Sequence, residues 1–347
     1  MGVKRSEATE LIFGLLADYV ISYDSTYRFD LSKCYIDFDK PDKELLKTMS
    51  TVYFQDFIPN ANFSIVKYDE KNLLIIIGEP QTNFSDTVLV EHEVDLALFV
   101  YSVYQLKADI NYAKEPIEVY NDVLCQPEDE FYHGHQLEDL IENFQNIKAY
   151  EISDTSNLSG EAYSSYAYYL LKSLQLNPGN WEEKTLDILE QLLLSGNEKI
   201  PFHNIVLALL ANQWNHSFLE TYRCIEHLFH VIKLEAFYDI LHTSLSLLDV
   251  SREIEEKISW RPNEEGAIQD IFKEIESLHI TTELELVKNS YDSGMRIEKW
   301  YYKQRNSIAH YRAVHEPLKF NNNEWNVLIR FNLQVIEYLY DKYREKI

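Results

Sequence analysis

Two hydrophobic periods run along this chain, and the change between them falls near residue 160. Before it the pattern is mixed. Glu7 to Ser22 carries apolar residues at helical spacing, whereas Tyr27 to Phe38 alternates, with Phe29, Leu31, Cys34 and Ile36 among polar neighbours, and predicts a strand. Phe63–Tyr68 and Leu73–Ile77 flank Asp69–Asn72 and predict a hairpin with a four-residue loop. Val88 to Leu106 fits a strand pair or a helix equally well, and Asn111 to Asp139 is acidic and irregular, as expected of an exposed loop.

From Gly160 onward the period is that of a helix. Ala162–Leu176, Glu182–Leu194 and Pro201–Gln213 each show it, with Ser195 to Pro201 as a natural break. Phe218, Tyr222, Ile225, Phe229 and Ile232 fall at i, i+4, i+7, i+11 and i+14, which predicts one continuous helix from Ser217 to Leu248. Further helices are expected over Glu264–Leu278, Thr282–Ala313 and Asn323–Glu345. The fold class read from this pattern is α+β: a mixed α/β domain over residues 1–195, then an all-α helical bundle over residues 196–347.

Composition agrees with a helix-rich chain. Glycine and proline together number 18 in 347 residues, about half of average usage, so turns should be few and an all-β sandwich is disfavoured. Cys34, Cys125 and Cys224 stand far apart, without a Cys-x-x-Cys pair, and read as reduced thiols of a cytoplasmic protein. The longest apolar runs, such as Leu73–Ile77, are far too short to span a membrane, so a soluble protein without a membrane partner is expected.

The net charge of −25 argues at first against nucleic acid. Its distribution weakens that argument. Residues 1–195 hold 14 basic against 34 acidic side chains, a balance of −20, while residues 196–347 hold 18 against 23, a balance of −5. Within the second part, Lys288, Arg296, Lys299, Lys303, Arg305 and Arg312 face only Asp292 and Glu298, a local +4. Tyr291, Trp300, Tyr301, Tyr302 and Tyr311 are interleaved with them, a pattern suited to phosphates and stacked bases as well as to an ordinary solvated helix face.

That segment holds Arg305, Asn306 and His310 within six residues. Cleaving RNA without a metal takes a base for the ribose 2′-OH proton, an acid for the leaving 5′-oxygen, and positive donors on the phosphorane. Histidine suits the first two roles and arginine the last. At about 100° per residue Asn306 and His310 share a helix face, whereas Arg305 and His310 point about 140° apart. One straight helix does not converge all three, and a second copy across a two-fold axis is the economical way to complete the site.

Rival constellations are poorer. His133, His135 and Asp139, or Glu91, His92, Glu93 and Asp95, offer ligand types without a recognised metal spacing, and His227 with His230 lacks the glutamate of a His-Glu-x-x-His helix. No glycine-rich phosphate loop and no Gly-x-Ser-x-Gly elbow occurs. No cofactor is expected.

The string Arg305-Asn306-Ser307-Ile308-Ala309-His310 resembles the Arg-x(4–6)-His signature of the HEPN superfamily in its Arg-Asn-x-x-x-His form. Phe218 to Phe229 is similar to the earlier helix of that family, where an aromatic and an arginine precede a buried glutamate, here Tyr222, Arg223 and Glu226. The resemblance covers residues 200–347, and the N-terminal 195 residues resemble nothing familiar. It implies a dimerising helical domain with metal-independent endoribonuclease activity, of the kind found in phage-defence and toxin systems. Arg305 would bind the scissile phosphate, His310 would act as acid and base, Asn306 would orient the phosphate or the histidine, and Glu226 would hold Arg305 or Arg223. Lys299, Lys303, Tyr311 and Arg312 would contact RNA. A tyrosine two residues after the histidine, modified in some members, is replaced here by Arg312. The other reading is an inactive HEPN-like module for dimerisation, RNA binding or interaction. Either way the acidic N-terminal half is expected to sense a trigger or inhibitory partner, repelling RNA or covering the +4 stripe until displaced.

Overall fold

The computed structural model describes residues 3–58, 61–79, 82–128, 131–153, 158, 162–309 and 319–347. The chain forms two compact units, residues 1–165 and 166–347, and is α+β. The division comes before helix α7 (Glu183–Ser195), which packs on the last helix of the chain and so belongs to the second unit, rather than near residue 196.

The first unit is built on a five-stranded antiparallel sheet. Its strands are β1 (Ser50–Ile58), β2 (Ala61–Tyr68), β3 (Lys71–Ile77), β4 (Leu89–His92) and β5 (Ile147–Ile152), in the order β1-β2-β3-β5-β4. Leu73 to Ile77 is buried at every position, which explains a continuous apolar run in place of alternation: β3 is central and covered on both faces. Alternate residues Leu73, Ile75 and Ile77 join a core with helices α1 (Arg5–Tyr23) and α3 (Leu96–Tyr104). Helix α2 (Lys40–Thr48) starts in an Asp39/Asp42 capping box with Pro41 in its first turn.

Several expectations change here. The hairpin forms, but Lys71 and Asn72 pair with Tyr68 and Lys67, so its turn is the two residues Asp69 and Glu70, with Asp69 at φ 52°. Tyr27–Phe38 is not a strand. Asp30 caps a 3-10 turn at Leu31–Lys33, and Ile36 makes a single bridge to His135; the alternation reflects burial of Cys34, Ile36 and Phe38 on an irregular segment. Val88–Leu106 contains both a strand and a helix, divided where Asp95 accepts the Leu98 amide as the cap of α3. The acidic stretch after Asn111 is not an exposed loop, because single turns α4 (Pro116–Val119) and α5 (Leu137–Leu140) with a π-turn at Tyr120–Leu124 bury Val119, Val123 and Leu124.

The division falls within helix α6 (Ala162–Leu176), and every later element is helical. These are α7, α8 (Phe202–Leu210), α9 (Trp214–Glu226), α10 (Phe229–Leu241), α11 (Leu247–Ile258), α12 (Glu264–Glu274), α13 (Thr282–Tyr291), α14 (Ile297–Ala309) and α15 (Asn322–Lys342). The single helix expected over 217–248 is α9, α10 and the start of α11: the chain leaves helical geometry at buried Leu228 and again at His242, which takes a left-handed φ of 48°. Thr282–Ala313 is also broken. The Asp292 carboxylate accepts the Gly294 and Met295 amides, and that local turn ends α13 and lets α14 set off separately.

Helix α15 is the axis of the bundle, buried from Trp325 to Leu333 and on its inner face to Tyr340, and packed on α7, α9 and α13. Its buried polar groups are all engaged: Arg330 pairs with Glu182 at 2.5 Å and Glu283 at 2.9 Å, and Asn332 joins Tyr301 and Thr221 at 2.8 Å each. Among the described residues no helix is long and apolar enough to cross a membrane.

Candidate functional site

Helix α14 places its chemistry through its packing. Trp300, Tyr301 and Gln304 bury its inner face against α9, α12 and α15-side aromatics, and Arg305 follows Tyr301 by one turn. An arginine so placed needs partners, and three converge on it. Its Nη2 donates to Glu226 Oε1 at 2.8 Å, and its Nη1 donates to Asn306 Oδ1 at 3.1 Å and pairs with Glu264 Oε2 at 3.0 Å. The guanidinium carbon stands 5.2 Å from the centre of the Tyr222 ring, a cation–π contact that closes the apolar side. Only 10% of the Arg305 side chain is exposed.

Each carboxylate arrives from a helix end. Glu226 is the last residue of α9, where carbonyl dipoles disfavour negative charge; Glu264 is the first residue of α12, behind the Asn263 cap, where amide dipoles favour it. Burial pushes the Glu226 carboxyl above the usual glutamate range, Arg305 pulls it back in part, and the nearby Glu264 adds to the rise. One guanidinium against two carboxylates leaves the site at −1 when both are ionised. Arg305 Nε and the Tyr222 hydroxyl are buried without a hydrogen-bond partner among the described residues, so donor capacity remains beside the guanidinium. An oxyanion that displaced Glu264 would find an oriented, anchored arginine with further donors to offer.

Of the residues singled out in the sequence, Arg305, Asn306 and Glu226 are brought together. Arg223 is not among them, being paired with Glu220 on its own helix. Lys299 and Lys303 stand exposed one turn apart on α14. His310, Tyr311 and Arg312 lie outside the described residues. The +4 stripe is not one continuous surface: Lys288 is buried and donates to the Met295 carbonyl at 2.8 Å, and Arg296 pairs with Glu298 at 2.5 Å. Trp300 and Tyr301 are core side chains rather than a stacking platform. Tyr222 was singled out on its helix in the sequence, but Glu264 was not, because only the packing of α12 on α14 brings it to the arginine.

The rival constellations have structural occupations. His135 is buried with Nδ1 on the Tyr132 hydroxyl at 2.7 Å and Nε2 on the Val123 carbonyl at 3.0 Å, while Asp139 accepts the Gln136 amide. Asp95 caps α3, and His227 and His230 contact the Tyr340 hydroxyl and Glu255 respectively. Among the described residues no three His, Cys, Asp or Glu side chains converge as metal ligands. The first unit holds a cleft of about 850 Å3 at the β4–β5 edge, lined by His92, Glu93, Asn111, Lys114, Asn146 and Lys148. Lys148 is buried there, donating to Asn83 at 2.5 Å and pairing with Glu91 at 3.3 Å. Comparison of the chain with protein-family models, curated proteins and solved structures finds no match, so the geometry around Arg305 stands on its own.

Proposed function

We propose that this chain is a metal-independent endoribonuclease of the HEPN type, a cytoplasmic toxin or anti-phage effector that acts as a homodimer through its helical unit. The observation that carries the reading is the anchoring of Arg305. A buried arginine held by Glu226 from another helix, with Asn306 bonded to it and His310 one turn beyond Asn306 in sequence, supplies the parts of an RNA-cleaving site.

In this reading Arg305 binds the scissile phosphate, Asn306 orients it, and Glu226 holds the arginine. Two copies of the domain supply two His310 rings. One accepts the ribose 2′-OH proton as O2′ attacks phosphorus, and the other donates a proton to the 5′-oxygen as its bond to phosphorus breaks. The products are a 2′,3′-cyclic phosphate and a 5′-hydroxyl end. Lys299, Lys303, Tyr311 and Arg312 track the RNA backbone, and the cleft of the first unit is where a trigger or inhibitor acts.

The test is cleavage of bulk tRNA by the full chain with EDTA present. His310→Ala and Arg305→Ala should each lower the rate by on the order of 10²-fold or more, and the product should carry the cyclic phosphate. Wild-type protein without activity, or variants as active as the parent, would overturn the assignment. The neutralisation of Arg305 by two carboxylates favours, as second reading, an inactive HEPN-like interaction module; that module would leave the RNA intact while still dimerising.

A further inference from the structure

Helix α10 has a polar side, where Lys233 pairs with Asp270 and where Glu235 and Asp239 pair with Lys346, and two apolar ones. Phe229, Val231 and Leu234 are buried in the bundle, yet Phe237, Ile240 and Leu241, spaced i, i+3, i+4, form a second apolar face toward solvent. The face continues onto α11, which packs against α10: Phe237, Leu241, Leu245, Val250, Ile254 and Ile258 line an open groove of about 360 Å3. Ile240 and Ile258 are 73% and 71% exposed, and Phe237, Leu241 and Leu245 are exposed by two-fifths to one-half. At the usual area of large apolar side chains, these five leave roughly 500 Å2 of hydrocarbon against water, near the top of what a monomer presents in one patch.

We propose that this face is the docking surface for a second copy of the chain, α10 and α11 of one subunit lying on α10 and α11 of the other about a two-fold axis. The proposal deepens the reading above, which calls for two copies, and rests on it only for the link to cleavage. Two observations select this occupant. The apolar area is more than half of the roughly 800 Å2 that each partner contributes to a stable interface, before any polar rim is counted. The charges on the face are also self-complementary: Glu253 is the one charged residue lining the groove, and exposed Lys257 follows it by one turn on the same helix. Antiparallel apposition of α11 with its own copy sets each Glu253 against a Lys257, twice by symmetry.

The experiment is sedimentation velocity of the full chain between about 1 and 100 μM, a span that brackets a micromolar dissociation constant. Wild-type protein should sediment at twice the 41.0 kDa chain mass. Ile240→Asp and Ile258→Asp, at side chains that stand mostly in water, should sediment as monomers with unchanged melting curves. Glu253→Lys should weaken association about tenfold, and adding Lys257→Glu should restore it; if the aspartate variants fail to fold, this exposed pair decides. A monomeric wild-type protein, or a dimer that survives both aspartate substitutions, overturns the proposal. Cleavage assayed on the same samples keeps the two readings apart, since a dimer lost with Ile258→Asp in a protein that never cuts RNA establishes the surface and removes the nuclease.

Discussion

Glutamine in place of Glu264 removes one of the two carboxylates on Arg305 while keeping the side chain's size. The pair lies at 3.0 Å, but Glu264 is 37% exposed, so its Coulomb energy is screened and worth about 0.2–1 kcal/mol. Loss of charge at the α12 N-terminus costs a further 0.3–1 kcal/mol or so. The expected stability loss is therefore about 1 kcal/mol, a fall in Tm of about 2–4 °C. Binding should move the other way. A phosphate on Arg305 would stand about 6 Å from the Glu264 carboxylate, where like-charge repulsion at an effective dielectric between 20 and 80 is roughly 0.7–3 kcal/mol. Removing that repulsion and the competing ion pair should tighten binding about tenfold, at 1.4 kcal/mol per factor of ten. Fluorescence anisotropy with a 2′-O-methyl RNA, which lacks the attacking hydroxyl, measures this at two salt concentrations. Glu226→Gln, which frees the arginine from its anchor, should weaken the same RNA. Equal or weaker binding by Glu264→Gln would refute the reasoning that Glu264 occupies the phosphate position.

Two further outcomes follow from the same region. Tyr222→Phe should be neutral or stabilising by a few tenths of a kcal/mol, because its buried hydroxyl has no partner among the described residues, whereas Tyr301→Phe should cost about 1–2 kcal/mol by orphaning Asn332; paired urea titrations compare them. The Glu226 carboxyl titrates above its ordinary 4.5 in the folded protein, so the stability it contributes is full below about pH 4.5 and is lost as pH rises through the raised value. The Tm of wild type relative to Glu226→Gln should accordingly be higher near pH 4.5 than at pH 7, and a difference that is constant or reversed would contradict the raised carboxyl.

The helical half was legible because its faces are regular: Phe218, Tyr222, Ile225 and Phe229 kept one spacing and are all buried. The breaks were not. The spacing from Phe218 runs straight through Leu228, where the backbone leaves the helix without a proline or glycine to mark it, and only Asp292-Ser293-Gly294 carried a local signal, for the break before α14. In the N-terminal half β1 and β5 escaped notice since both are defined by pairing with β2, β3 and β4 rather than by alternation. Tyr27–Phe38 alternated without becoming a strand, because three inward side chains on an irregular segment produce the same period as a pleat.

The site was half legible for a related reason. Helical spacing in the sequence predicts that Arg305 and His310 diverge, which leaves open what Arg305 faces instead. Its partners lie 79 residues away at Glu226 and 41 away at Glu264, and no local rule connects them. Their arrangement changes the electrostatic argument made from composition. The +4 counted along the chain from Lys288 to Arg312 already includes Glu298, which pairs with Arg296; Glu226 and Glu264 add two further carboxylates, so Arg305 and its two partners together carry −1 when both are ionised. In the proposed function, hindrance to phosphate binding at Arg305 therefore needs no covering domain. In that reading the hindrance comes from Glu264 at the start of α12, and phosphate would bind as Glu264 swings outward, a motion open to a partly exposed side chain at the first position of a helix.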